Sequence, residues 1–227
     1  MIDVEIDVDL ARRLVPDEEI DRLLDEQAAK TEMQVAAGVT GLTADLYIIA
    51  MSASGEREDY DLPDITVDAY RQARFREAGQ ILMSSGCLPV LVLARMESWR
   101  LNVDPESAEG RALLAGRHIN LNATDRPDRI EGVQVTALTL DGRAAVISWD
   151  TVRDAHNRMR LTNRRSLYRH EVAGNPENRV KSDLLQCVFD GSLQFARQLT
   201  QAVGEALTKG KIPPCFTPTY PGSEYVQ

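Results

Sequence analysis

The stretch that decides the fold is D-R-I-E-G-V-Q-V-T-A-L-T-L-D-G-R-A-A-V-I-S-W-D-T-V-R-D, residues Asp128–Asp154. Two runs rich in β-forming residues, Val133–Leu140 and Ala144–Val152, flank the pair Asp141-Gly142. Asp-Gly is a favoured pair for a two-residue type I′ turn, because both central residues of that turn need a positive φ. The stretch therefore predicts a β-hairpin in the second half of the chain.

The two-residue turn also predicts the register of the hairpin. It places Leu140 opposite Arg143 and sets Trp149 beside Gln134. Near the turn, both faces of the hairpin then carry apolar side chains. Covering two apolar faces requires helices on both sides of the sheet or a second subunit.

Other segments predict further strands and helices around the hairpin. Pro89–Leu101 and Met159–Val172 have the composition of strands, and sequential strands joined by short connections form an antiparallel sheet. Apolar residues at helical spacing predict three helices, and Leu42–Ala53 fits a short helix or a strand, with a helix favoured. The predicted helices lie near Pro16–Ala37, Thr66–Leu82 and Ser182–Thr208, and the segment Gly55–Pro63 is interpreted as a flexible connection.

The predicted fold class is therefore α+β, with an antiparallel sheet of three to four strands in the middle and second half of the chain. N-terminal helices and a long C-terminal helix pack on this sheet. We predict an acidic helical region at 1–63, an α+β core domain at 64–209 and an extended, proline-rich tail at 210–227.

The composition is that of an ordinary globular protein, with 43% hydrophobic and 27% charged residues. No apolar run reaches the roughly 20 residues that a membrane helix needs. The acidic start M-I-D-V-E-I-D-V-D-L lacks the features of a signal peptide, so a cytoplasmic protein with no membrane partner is expected. The cysteines Cys87, Cys187 and Cys215 are too widely spaced for a disulfide framework, and buried free thiols are expected for the first two.

The net charge of −9 is unevenly distributed. Residues 1–64 hold 17 acids and 5 bases, a balance of −12, and the remainder holds 18 acids and 21 bases, a balance of +3. The segment Arg153–His170 concentrates the basic residues against a single acid, Asp154. Its arginines are Arg153, Arg158, Arg160, Arg164, Arg165 and Arg169.

Three interpretations of these arginines remain open, and docking on the acidic N-terminal helices, within one chain or across a dimer, is favoured. The second is protection of a sheet edge against pairing with other strands. The third is single-stranded nucleic-acid binding. The overall acidity of the chain disfavours it, and so does the scarcity of stacking rings, because Tyr168 is the single aromatic residue of the segment.

Four polar residues are candidates for acid–base chemistry. Glu97 shares a strand face with Trp99, and Arg129 shares one with Glu131, because alternate residues of a strand point the same way. Together with His118 from a loop, they could hydrolyse a phosphoester at one end of the sheet. The structural alternative is that the carboxylates form a network that fixes strand register, while the tryptophans fill the space between sheet and helices.

No metal site or cofactor is expected from the sequence. His118, His156 and His170 are isolated and form no spacing typical of metal ligands. Neither a P-loop, nor G-x-G-x-x-G, nor G-x-S-x-G occurs, so nucleotide and serine chemistry have no motif to support them.

The order of four motifs resembles that of a loose group of uncharacterised bacterial and phage-associated proteins. The motifs are M-E-S-W at 96–99, R-P-D-R-I-E-G-V at 126–133, L-D-G-R at 140–143 and W-D-T-V-R-D at 149–154. In that group an E-A-W-type strand precedes a P-x-R-x-E segment and a D-G-R hairpin, and this chain has Ser98 where alanine is frequent. The resemblance covers about Leu88–Asp154 and supports the sheet; no established activity comes with it.

The function expected from the sequence is therefore that of a non-enzymatic protein that works through protein–protein contacts as a homo-oligomer. Self-association or another protein is the expected partner, with nucleic acid disfavoured. A hydrolase and a single-stranded nucleic-acid-binding protein remain the alternatives. The expected interaction surface consists of the six arginines of the basic segment together with Trp99 and Trp149.

Overall fold

A computed structural model describes residues 12–65, 71–101, 104, 106–114, 129–169 and 183–208 of the 227-residue chain. The fold class is α+β with an antiparallel sheet, and the sheet has six strands rather than the three to four expected. The described helices and strands in chain order are α1 (Asp17–Ala36), β1 (Ala44–Met51), β2 (Arg57–Ile65), α2 (Arg71–Ser84), β3 (Leu88–Leu101), α3 (Ala108–Leu114), β4 (Arg129–Thr139), β5 (Ala144–Arg153), β6 (Met159–Arg169) and α4 (Asp183–Thr208).

The order of strands across the sheet is β2-β1-β3-β4-β5-β6, and all neighbours pair antiparallel. The two unexpected strands are β1 and β2. The helix favoured for Leu42–Ala53 was wrong, because β1 is buried on both faces and so lacks the alternation that marks a half-exposed strand. The expected connection Gly55–Pro63 instead contributes most of β2, a polar strand at the edge of the sheet.

The turn of the central hairpin differs from the sequence prediction. The N–H of Thr139 donates to the carbonyl of Arg143 at 2.9 Å, and the N–H of Gly142 donates to the carbonyl of Thr139 at 3.0 Å. Gly142 has a φ of 88°, so the loop is a type I turn closed by a left-handed glycine, with three residues rather than two. The register shifts accordingly by one residue, and Trp149 lies opposite Val133 instead of beside Gln134.

A buried ion pair accompanies this turn. Arg143 is only 1% exposed, and its Nε donates to Oδ2 of Asp141 at 2.8 Å. The Asp141 carboxylate also accepts the hydroxyl of Thr139. Nη1 of Arg143 reaches Oδ1 of Asp17, in the first turn of α1, at 2.6 Å. The hairpin loop is thereby joined to the beginning of the first helix.

Helices of the same chain cover both faces of the sheet, as the two apolar faces of the hairpin require. On one face α1 packs through Ile20, Leu24 and Ala28 against the odd-numbered residues of β4 and β5. On the other face α2 and α4 pack over β1 and β3 and over the end of β4. The buried residues from the hairpin on the α1 face are Val133, Val135, Ala137, Ala145, Ile147 and Trp149.

The helices α2 and α4 cross at two glycines that allow their backbones to approach closely. A Cβ on Gly79 would lie 1.9 Å from the carbonyl oxygen of Val188, and one on Gly191 would lie 2.0 Å from that of Arg76. The Ser192 hydroxyl donates across the crossing to the carbonyl of Gly79 at 3.0 Å. The crossing therefore has no room for even one methyl group.

Two expectations about composition can be compared with the described residues. Cys87 and Cys187 are buried free thiols, as expected, and Cys215 lies outside the described residues. Among the helices that the structure describes, none has the length and apolarity to cross a membrane.

We expect Gly79→Ala to destabilise the fold by roughly 2–3 kcal/mol, because overpacking at a close contact forces backbone shifts. The matched control is Gly204→Ala, at an exposed position of α4 where a Cβ would meet nothing within 4 Å. It should stabilise the protein by about 0.5–1 kcal/mol, because alanine favours helix more than glycine does. Urea unfolding measures both, and equal effects would contradict the close crossing.

The hairpin turn makes a separate prediction at Gly142, which has a positive φ and open space around it. Gly142→Ala should cost about 1 kcal/mol, because only the backbone conformation is penalised. Gly142→Asn should cost less, since asparagine tolerates the left-handed region better than alanine does. Thermal unfolding of the two variants tests this, and the turn assignment fails if alanine is tolerated as well as asparagine.

Candidate interaction surface

The loop between α1 and β1, residues 37–43, is fastened to the sheet by two of the polar residues singled out above. Oε1 of Glu97 on β3 accepts the N–H of Leu42 at 2.9 Å. Nη1 of Arg153 on β5 donates to the carbonyl of Thr40. Both side chains therefore hold backbone in place.

Glu97 and Glu131 lie on neighbouring strands, β3 and β4, and share the face that α1 covers. Glu97 pairs in register with Val133, so Glu131 is the diagonal neighbour two residues away. Oε2 of Glu131 lies 3.4 Å from Nε of Arg153, within an ion pair. The structure brings these two carboxylates together and gives each a partner, which matches the structural alternative better than the catalytic one.

The remaining acid–base candidates are not placed by the structure. His118 lies outside the described residues, and of Arg129 only the backbone, which pairs with Leu101, is described. Across the described ranges, no group of three or more His, Cys, Asp or Glu side chains is arranged to hold a metal ion.

Two arginines of β6 bind carboxylates on opposite faces of the sheet. Arg164 lies on the α1 face, with Nη2 3.2 Å from Asp25 and Nε 3.8 Å from Glu32. This contact joins one of the six arginines of the basic segment to the acidic helix α1 of the same chain. Arg165 instead reaches both oxygens of Asp150, at 2.5 and 3.2 Å, on the face away from α1.

The β5–β6 turn is organised by Asp154. Its Oδ1 accepts the backbone N–H groups of His156 and Arg158 at 2.8 and 3.0 Å, and its Oδ2 accepts Nε of Arg158 at 2.8 Å. These hydrogen bonds hold the pKa of Asp154 below its usual 3.8, because each of them favours the charged carboxylate. The bond from the backbone N–H of Arg158 has the largest effect on this pKa.

A groove of about 690 Å³ runs between the C-terminal half of α1 and β6. Val35, Met159 and Leu161 give it apolar lining, and Trp149 lies at its base. The wall includes six consecutive residues of β6, Met159–Arg164. Arg160 and Leu161 point to opposite faces of the sheet, and this alternation is interrupted at Asn163, which has a φ of 53° next to a shift in the β5–β6 register. Because side chains from both faces line it, the groove extends to the outer edge of the strand.

The two tryptophans expected in the interaction surface differ in what the structure shows. Trp149 is 3% exposed, and its indole N–H donates to Glu32 at 3.2 Å, so the ring belongs to the core beneath the groove. For Trp99 only the backbone is described, and it pairs with Glu131.

Within the described sheet, β6 is an edge strand, and much of it is open to solvent. Residues 162–167 are all exposed, and Val152, on β5 opposite Arg160, is 49% exposed. In the part of the chain that the structure describes, Arg160 has no carboxylate partner.

The sequence analysis found the arginines but missed the groove. The wall opposite β6, from Glu32 in α1 to Gly38 just after it, is more than a hundred residues from β6 in the chain.

No known protein family, curated protein or solved structure matches this chain.

We expect Asp154→Asn to lower the stability of the β5–β6 turn at neutral pH, because the charged contact with Arg158 is lost. The pKa of Asp154 is lowered by folding, so its contribution is present above the unfolded value near 3.8 and is lost as the pH falls through the lower folded value. Urea unfolding of both proteins from neutral to strongly acidic pH should show the difference shrinking only below about pH 4. A difference that shrinks between pH 5 and 8 would contradict the assignment.

Proposed function

We propose that this is a cytoplasmic, non-enzymatic protein that acts through protein–protein contacts and self-associates, with β6 and its groove as the contact surface. The observation that carries the proposal is the edge strand β6, Met159–Arg169, which has an irregularity at Asn163 and lies beside a groove with both apolar and charged lining. An edge strand presents unpaired N–H and C=O groups, and an adjacent groove can take every second side chain of an added strand.

The groove combines apolar and charged side chains around a volume of about 690 Å³. Val35 and Leu161 provide apolar walls, and Arg160 lies beside them. Two further arginines of the lining, Arg158 and Arg164, are already paired with the lining carboxylates Asp154 and Glu32. An extended segment with apolar residues on one side and acidic residues on the other is the chemistry that this surface fits.

The contacts of the candidate residues make the two alternative functions less well supported. General acid–base catalysis needs a carboxylate that can reach a substrate, whereas Glu97 and Glu131 bind Leu42 and Arg153. Single-strand binding needs exposed rings and available cations. The ring of Trp149 is buried, and the arginines Arg158, Arg164 and Arg165 are paired with carboxylates.

The basic residues of β6 also fit edge protection, which makes the opposite prediction for association. Charged side chains on an edge strand repel unwanted strands, so removing a protective charge should increase association. If Arg160 instead contacts an acidic partner, reversing its charge should decrease association. The sign of the effect therefore separates the two interpretations.

We expect the unmodified 227-residue chain to sediment as an oligomer at high micromolar concentration. Arg160→Glu should weaken its association at least tenfold, because a cation facing an acidic partner becomes an anion. The matched control is Arg197→Glu, the same charge change at an exposed site on α4. Sedimentation velocity at low and high salt measures both.

Two results would contradict this proposal. A full-length protein that remains monomeric at high micromolar concentration excludes self-association. Stronger association of an Arg160→Val variant would assign the arginine to edge protection instead.

A further inference from the structure

Building on the proposed self-association, we infer that the N-terminal segment Ile2–Leu10 of a second copy is the strand that docks on β6. The docked segment extends the six-stranded sheet by one strand in each copy. Its apolar side chains enter the groove beside α1, and its carboxylates lie along the opposite face of the sheet.

The amino-acid sequence of this segment has the alternation that strand addition requires. In I-D-V-E-I-D-V-D-L, apolar residues occupy every even position from 2 to 10, and acids occupy every odd position from 3 to 9. Four of the five apolar residues are β-branched, which favours the extended conformation. One face of such a strand is wholly apolar and the other wholly acidic, because alternate side chains point to opposite faces.

The two faces of β6 complement those two faces. Met159 and Leu161 lie on the α1 face and belong to the apolar cluster beneath the groove. Arg160 pairs with Val152 and Arg165 pairs with Ser148, which places both arginines on the opposite face. A strand added beside β6 with its apolar side toward α1 therefore brings its carboxylates next to Arg160, while Arg165 on the same face already binds Asp150.

Strand direction favours donation by a second copy. Nε of Arg12 lies 3.6 Å from Oδ2 of Asp141, at the hairpin-turn end of the sheet, and β6 ends there too, since Arg169 pairs with Ala144. Within one chain, residues 2–10 would have to run parallel to β6. All pairs in the described sheet are antiparallel, and antiparallel pairing is slightly more stable per residue. A reciprocal exchange between two copies permits the antiparallel direction and closes a symmetric dimer.

The test uses full-length chains that carry changes in the segment or in the strand that receives it. The segment variant combines Val4→Pro and Asp7→Pro, which remove N–H donors on both edges of an added strand whatever its register. Its control combines the conservative changes Val4→Thr and Asp7→Glu. The edge variant is Arg160→Glu, and circular dichroism confirms that each protein is folded.

We expect the segment variant and the edge variant each to dissociate at least tenfold more readily than the full-length protein and the control. Mixing the two variants should restore a heterodimer, because one supplies an intact segment and the other an intact edge. Sedimentation of the mixture, with one chain labelled by a fluorophore, measures this complementation.

Each other outcome has a definite meaning. If the segment variant remains as associated as the full-length protein while Arg160→Glu dissociates, the inference about residues 2–10 is wrong and the proposed contact surface stands. If both variants are monomeric and no heterodimer forms, donation by a second copy is wrong. If the unmodified protein is itself monomeric, the proposed self-association fails.

Discussion

The connection between the central hairpin and α1 depends on how the buried guanidinium of Arg143 is satisfied. A charged group that is 1% exposed is tolerable only if carboxylates and hydrogen-bond acceptors surround it. Asp141 provides one such partner within the hairpin loop, and Asp17 provides another from α1. Truncating Asp141, whose side chain is fully buried, would remove the partner of Arg143 inside the loop, at a cost of about 3–5 kcal/mol.

This requirement explains why the hairpin does not adopt the turn that Asp-Gly favours by itself. In the three-residue loop, the Asp141 carboxylate is buried and binds both the hydroxyl of Thr139 and the guanidinium of Arg143. The one-residue change in loop length moves Trp149 opposite Val133, and both then face α1. Side-chain contacts inside the loop, together with the pair between Arg143 and Asp17, thus accompany this register, and the preference of the Asp-Gly pair alone does not reveal them.

Whether an element is buried on one face or on both decides how far the fold could be predicted from the sequence. Helices α1 and α4 follow from one-sided apolar spacing and begin and end within about two residues of their predicted positions, a normal uncertainty for helix ends. In β1 the residues Leu46, Ile48 and Ile49 are all buried although they point to different faces, so the periodicity that identifies a strand is absent. For the candidate site, the sequence predicted that basic residues would meet acidic ones, and Arg164 does contact Asp25. The groove beside them exists only because α1 and β6 approach in three dimensions.

The position of α1 on the sheet explains part of the uneven charge along the chain. Part of the acidic excess is used within the described fold, where Asp17, Asp25 and Glu32 of α1 bind arginines of the sheet. Apolar packing places α1 over β4 and β5, these pairs border that contact, and most of β6 remains exposed at the sheet edge. The placement of α1 therefore has two results. It stabilises the core, and it leaves an open, partly basic strand beside the groove. A helix set one strand further across would cover the groove and remove the surface that we propose for self-association.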